Sequence, residues 1–192
     1  GLERIGQSAF LGCKLITRLT LPNTVSRIGD HSFENCTGLR SLVVEENANA
    51  EFQVKMGESA FSGCTSLAEI NLPSNLKSMG GRAFSGCTSL RAVTLPEGVE
   101  SIGHFAFSGC TALQNLTLPE SVVELGGCLI ENTAVRNIRI PKNVAVCAFA
   151  PGNGGYNGTL ANCGTLKTVV FEEGITEIPA YICASHDYES QV

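Results

Sequence analysis

One stretch constrains the architecture more than any other. Residues Ile102 to Pro119 read I-G-H-F-A-F-S-G-C-T-A-L-Q-N-L-T-L-P, and the same residue types recur in the same order along the chain. Phe107 has counterparts at Phe10, Phe33, Phe61 and Phe84, separated by 23, 28, 23 and 23 residues, with degenerate copies at Ile130, Leu160 and Ile182. Three residues after each Phe comes a Cys (Cys13, Cys36, Cys64, Cys87, Cys110), then an apolar triplet spaced L-x-x-L-x-L that usually ends at Pro. A fixed period of this size means a solenoid, because one turn cannot bury its own apolar face and neighbours must stack to make a continuous core. The expected domain is a single unit over residues 1–192, about seven to eight turns long. With 43% apolar residues there is material for one core, elongated rather than spherical.

The physics of one turn follows from the code. In L-x-L the two apolar residues point inward from a short strand and the residue between them points out. Successive strands then pair in parallel, making a sheet along one side, with little or no helix needed. Pro after the strand has no amide to donate, so it ends the strand and begins a corner. Ile-Gly reads as another corner, with Gly free to take a positive φ. Ala beside Phe leaves room for the ring to cross the core, where rings from successive turns stack.

Two lengthenings interrupt the period. Around 45–55, Glu45-Glu46-Asn47-Ala48-Asn49-Ala50 replaces the closing Pro and is expected to bulge. Around 147–158, A-P-G-N-G-G-Y-N-G fits an irregular excursion better than a strand or a helix. Thr133 stands in the Cys column of turn six, Cys163 restores that column in turn seven, and Ile175, Ile178 and Ile182 begin an eighth turn. At the start, Gly1-Leu2-Glu3-Arg4-Ile5-Gly6 already matches Gly98 to Gly103, so the chain is expected to begin inside a repeat, as a piece of a longer protein without a signal peptide or anchor of its own.

Composition excludes several classes. A net charge of −5 without a block of Lys or Arg opposes binding to a phosphate backbone, so nucleic acid is not expected as a partner. No apolar run reaches the ~20 residues of a membrane-spanning helix. The nine cysteines contain no C-x-x-C pair. Six share one repeat position and are expected to stack inside the solenoid as reduced, buried thiols, since free Cys behaves as a small hydrophobe. Disulfides or metal are the alternatives, and outside the column a Cys128–Cys147 bridge is the pairing to consider.

The residues I-G-x-x-A-F-x-G-C-x-x-L-x-x-L-x-L-P resemble the BspA-like class of leucine-rich repeats, also found in treponemal leucine-rich repeat proteins. The resemblance covers nearly the whole chain. It implies a right-handed, curved solenoid with its parallel sheet on the concave side, and a surface or secreted protein linked to adhesion and to binding of host matrix or cell-surface proteins. It supplies no catalytic motif. An intracellular scaffold that uses the same solenoid for protein contacts is the competing reading.

The outward residues of the strands are the candidate protein-binding face: Arg18, Thr20, Val43, Glu69, Asn71, Thr94, Asn115, Thr117, Asn137, Arg139 and Thr168, a surface that reads as small, neutral and rich in Thr and Asn. Charge reversal at Glu69 or Arg139 is expected to leave stability almost unchanged. Tyr156, in the second lengthening, is a candidate loop contact. No catalytic, cofactor or metal site is expected. Of the three histidines, His31 and His104 occupy variable corner positions and His186 lies in the polar tail, and no acid, base and nucleophile come together in the pattern.

Overall fold

The computed structural model describes residues 1–47, 52–147, 150–151, 156–180 and 182–183, with the backbone alone at 150–151 and 156–157. Each turn contributes two short strands to opposite sides of the core. On the Ile-Gly side lie β1 (Arg4–Ile5), β3 (Arg27–Ile28), β5 (Val54–Met56), β7 (Leu76–Met79), β9 (Ser101–Ile102), β11 (Glu124–Leu125) and β13 (Val146–Cys147). The L-x-L motif makes β2 (Arg18–Leu21), β4 (Ser41–Val44), β6 (Glu69–Asn71), β8 (Ala92–Thr94), β10 (Asn115–Thr117), β12 (Asn137–Ile140) and β16 (Thr168–Phe171). All pairing along both sides is parallel and joins equivalent repeat positions. No helix occurs among the described residues.

The more continuous ladder is on the side read as a mere corner. The Ile-Gly strands form one seven-stranded sheet, whereas the L-x-L strands pair as β2-β4-β6, β8-β10 and β12-β16. The expectation of a positive φ at the Ile-Gly glycines is also corrected. From Gly29 onward those glycines are required by contact with the turn before: a Cβ at Gly80 would lie 2.4 Å from the Gly57 carbonyl carbon, and one at Gly126 would lie 2.3 Å from the His104 nitrogen. Positive φ falls elsewhere, at the F-x-G-C position, where Gly12, Gly63, Gly86 and Gly109 alternate with Asn35, Asn132 and Asn162. Glycine and asparagine are the residues that enter this region most readily.

A second left-handed column runs three residues after the apolar residue of each Ile-Gly, Met-Gly or Leu-Gly step, through Ser8, His31, Ser59, Arg82, Phe105 and Cys128. Such a conformation costs on the order of 1 kcal/mol for a residue with a Cβ. It turns each amide toward the next turn, where it donates to a carbonyl at 2.7–2.9 Å, as Ser59 does to Gly81 and Arg82 to His104. The segment between the two strands is thereby stitched to its neighbours without being a strand.

The core holds the apolar columns. Phe10, Phe33, Phe61, Phe84 and Phe107 stack with centroids 5.0–5.8 Å apart and planes within 8°. The four rings from Phe33 onward are fully buried. Phe10, expected inside, is 38% exposed because within this chain turn one is covered on one side only. Ala9 is likewise exposed.

Both lengthenings differ from their reading. Residues 48–51 lie outside those described, but by Val54 to Met56 the chain has rejoined the Ile-Gly sheet, with Lys55 opposite Arg27, so the first lengthening ends before Lys55. Glu46 is tied back, its carboxylate accepting from the Ser74 amide at 3.0 Å. In the second, β14 (Ala150–Pro151) and β15 (Tyr156–Asn157) pair antiparallel, where an irregular excursion was expected. The sequence between them, G-N-G-G, is of the kind that closes a hairpin.

Candidate protein-binding face

Strand register brings the outward residues into straight columns. Arg18, Ser41 and Glu69 are neighbours across three strands, as are Thr20, Val43 and Asn71. Ala92 lies beside Asn115 and Thr94 beside Thr117, and Asn137 and Arg139 pair with Thr168 and Val170. Leu19, Leu42, Val93, Leu116 and Ile138, the residues between them, turn inward. The spacing of outward positions along each strand is that of the pleat, and inward packing fixes it, since a slip of one residue would expose the whole apolar set. All the candidate residues are exposed except Val43, which is partly buried.

Most of these side chains have no intramolecular task. Among the described residues, Thr20, Asn71, Thr94, Asn115, Thr117, Asn137 and Thr168 make no side-chain hydrogen bond. Arg139 differs: its guanidinium lies 2.7 Å from the carboxylate of Glu172, whose side chain is only 5% exposed. The other oxygen of Glu172 accepts from the Lys142 amide at 3.2 Å. Reversing Arg139 would leave a buried carboxylate facing a like charge, so the expectation of unchanged stability fails at that position. Glu172 takes the place of the closing Pro, and its amide extends the ladder by donating to the Ile140 carbonyl at 3.2 Å.

The face is wider than the sequence reading drew it. The residue directly after the first Leu of L-x-x-L-x-L is exposed in every turn: Thr17, Arg40, Ala68, Arg91, Gln114, Arg136 and Lys167. Five of these residues border two open grooves along the edge of the strands, one lined by Thr17, Arg18, Arg40, Ser41, Ala68 and Glu69 and the other by Gln114, Asn115, Ala134, Arg136 and Asn137, with Arg91 exposed between the two. The signal was present in the sequence as a cation recurring at one repeat position.

Tyr156 lies on a strand of the hairpin, and its side chain is outside what is described. Cys147 is a free thiol, so the Cys128–Cys147 bridge considered from the sequence is not formed. In the column, Cys36, Cys64, Cys87 and Cys110 are buried, whereas Cys13 and Cys163, expected to match them, are half-buried in the less covered turns one and seven. Their role goes beyond filling space. The thiols of Cys36, Cys64, Cys87 and Cys110 donate to the carbonyl oxygens of Phe10, Phe33, Phe61 and Phe84 at 3.0–3.3 Å. Burial pushes the Cys64 and Cys163 thiols up to about 12. The hydrogen bond with Cys110, then burial, raises Cys87 well above the usual thiol value. Such thiols are poor nucleophiles. His31 is held by Glu34 at 2.7 Å, and His104 Nδ1 accepts from the Gly127 amide at 2.9 Å. Among the described residues no three His, Cys, Asp or Glu side chains cluster as metal ligands.

Residues 1–53 and 49–150 match the model of the BspA-type leucine-rich repeat region, in six copies. The chain belongs to the BspA-type leucine-rich repeat proteins. A leucine-rich cell surface protein of Faecalibacterium prausnitzii has the same fold at a TM-score of 0.71, with 30% identity over 88% of this chain and 43% of its own. For the Treponema pallidum leucine-rich repeat protein the TM-score is 0.63, with 28% identity over 95% of this chain and 72% of that one. A leucine-rich repeat protein of Eubacterium ventriosum gives 0.62 at 26% identity, covering 79% and 38%. The chain thus spans less than half the length of the F. prausnitzii protein. No curated protein matches it in sequence. As a BspA-type repeat unit it presents a rigid parallel-stranded face, of the kind on which solenoid proteins bind other proteins. No helix among the described residues is long and apolar enough to cross a membrane.

Proposed function

We propose that this chain is a non-enzymatic protein-binding module of a cell-surface or secreted leucine-rich repeat protein, and that it holds a matrix or cell-surface protein of a host on the face made by β2, β4, β6, β8, β10, β12 and β16. One observation carries the reading. The outward columns through Thr20, Asn71, Thr94, Asn115, Thr117 and Asn137 are exposed, fixed by backbone ladders and free of internal hydrogen bonds among the described residues. A surface already ordered before contact loses little entropy on binding. The description of the F. prausnitzii relative as a cell surface protein supports the location.

The test is solid-phase binding to a panel of purified extracellular-matrix glycoproteins. Thr94→Trp and Thr117→Trp should each reduce binding while leaving thermal stability unchanged. Retained binding in both, together with loss on shortening residues 152–158, would move the contact to the Tyr156 loop and overturn the reading.

A further inference from the structure

The strand face is positively charged although the chain as a whole is acidic. Its outward columns carry Arg18, Arg40, Arg91, Arg136, Arg139 and Lys167, six of the chain's 13 Lys and Arg, against Glu69 alone of its 18 Asp and Glu. Selection of partners by charge rests on such local asymmetry rather than on the net value. Arg139 is neutralised by Glu172. Among the described residues, Arg40, Arg91, Arg136 and Lys167 have no ion pair, in contrast to Lys77 with Glu100, Arg82 with Glu58 and Lys142 with Glu120 elsewhere.

Their spacing is regular. Arg40, Arg91 and Arg136 stand in the same repeat position of turns two, four and six, and Ala68 and Gln114 separate them. Each interval spans two turns and crosses one break in the ladder, between β6 and β8 or between β10 and β12, so from the ~4.8 Å spacing of paired strands the arginines recur at about 9.6 Å or a little more along the solenoid axis. A polyproline-II chain rises ~3.1 Å per residue with three residues per turn, so every third side chain shares a face at a repeat of about 9.3 Å. Three guanidiniums at this interval present bidentate donors in a geometry suited to carboxylates. Open grooves at the Arg40 and Arg136 ends of the lane leave room for the chain, Arg91 is exposed between them, and the exposed amides of Gln114, Asn115 and Asn137 flank the second groove. A nucleic acid fits less well, because the lane has no aromatic side chain on which bases could stack.

We propose that the lane of Arg40, Arg91 and Arg136 binds an extended acidic segment of a partner protein, with carboxylates at every third residue. The proposal rests on the reading of the strand face as the recognition surface and specifies the partner's chemistry. The probe is a fluorescent peptide, Glu-Pro-Pro-Glu-Pro-Pro-Glu, titrated with the whole chain and followed by anisotropy. Binding should weaken with added salt. The triple variant Arg40→Gln, Arg91→Gln, Arg136→Gln should raise Kd about tenfold or more, on the scale of three exposed charge pairs. A control triple on the opposite sheet, Arg4→Gln, Arg27→Gln, Lys55→Gln, changes net charge equally and should leave Kd within about twofold. A peptide of the same composition with its three Glu adjacent should bind more weakly.

Equal losses in the two triples, or no preference for the spaced peptide, would overturn the proposal. So would tighter binding of a single-stranded oligonucleotide or a sulfated polysaccharide of equal charge, which would make the lane a general polyanion surface. The matrix-protein assay separates the two levels. If the Thr94→Trp variant loses matrix protein while the lane triple binds it and the peptide unchanged, the face stands and the acidic-segment proposal falls. If neither variant affects matrix binding, the face itself is misassigned.

Discussion

Replacing Phe84 by Ala tests the stacked core at its centre. The ring is fully buried and lies between Phe61 at 5.4 Å and Phe107 at 5.8 Å. Emptying a buried aromatic site costs roughly 3–5 kcal/mol, and each lost stack accounts for about 0.5–1.5 kcal/mol beyond area burial. The backbone on either side is held by Phe61 donating to Ala83 at 2.8 Å and Phe84 donating to Ala106 at 2.9 Å. The turns therefore cannot close over the void, and the loss should fall in the upper half of that range. Phe10 supplies the internal comparison: it has one ring neighbour and is 38% exposed. Phe10→Ala should cost about half as much. Urea unfolding followed by circular dichroism gives both values, and hydrogen exchange should show turns three to five opening first, since contacts reach only adjacent repeats. A Phe84→Ala loss below about 1.5 kcal/mol, or one equal to that of Phe10→Ala, would refute the reasoning.

Gly80→Ala should destabilise by more than about 1 kcal/mol despite an ordinary φ, because its Cβ meets the Gly57 carbonyl carbon at 2.4 Å; a neutral melting temperature would contradict this. Native thiol labelling should spare Cys36, Cys64, Cys87 and Cys110 and reach Cys183 first, with Cys13 and Cys163 between. Because the folded Cys64 and Cys163 thiols titrate near 12 rather than 9.0, the unfolded chain releases their protons first. Stability should accordingly fall as pH rises through that window. At the acid end, burial lowers the His104 value from 6.5, so the unfolded chain takes up that proton first. Stability should then fall as the pH drops below about 6.5, an effect that His104→Gln should remove.

The repeat made the fold legible because each column has one physical duty that recurs in every turn. Phe, Cys and L-x-L positions were readable as core, and register followed from them. The Ile-Gly glycines were misread because a close approach between backbones of different turns leaves no mark in the sequence of one turn. Phe10, Cys13 and Cys163 were read as buried with the rest of their columns because a pattern reports which side faces inward but not whether anything covers it. The Arg139–Glu172 pair joins two turns through a residue that departs from the Pro column, and such departures carry little pattern. The cation column at Arg40, Arg91 and Arg136 was visible but unused, since the spacer of L-x-x-L reads as connection rather than surface. Thiol donation to the Phe carbonyls was likewise hidden, as hydrophobic packing alone accounts for Cys at that position.

Photo-cross-linking from the strand face tests the functional account most directly. A benzoylphenylalanine placed at Ala92, an outward position of β8 beside the contact columns, and in a separate variant at Glu124 on the opposite sheet, would be irradiated with the matrix glycoprotein that the chain binds. Both positions are exposed, so neither should disturb the fold. The account predicts a covalent adduct from position 92 and none from position 124; an adduct from position 124 alone would contradict it.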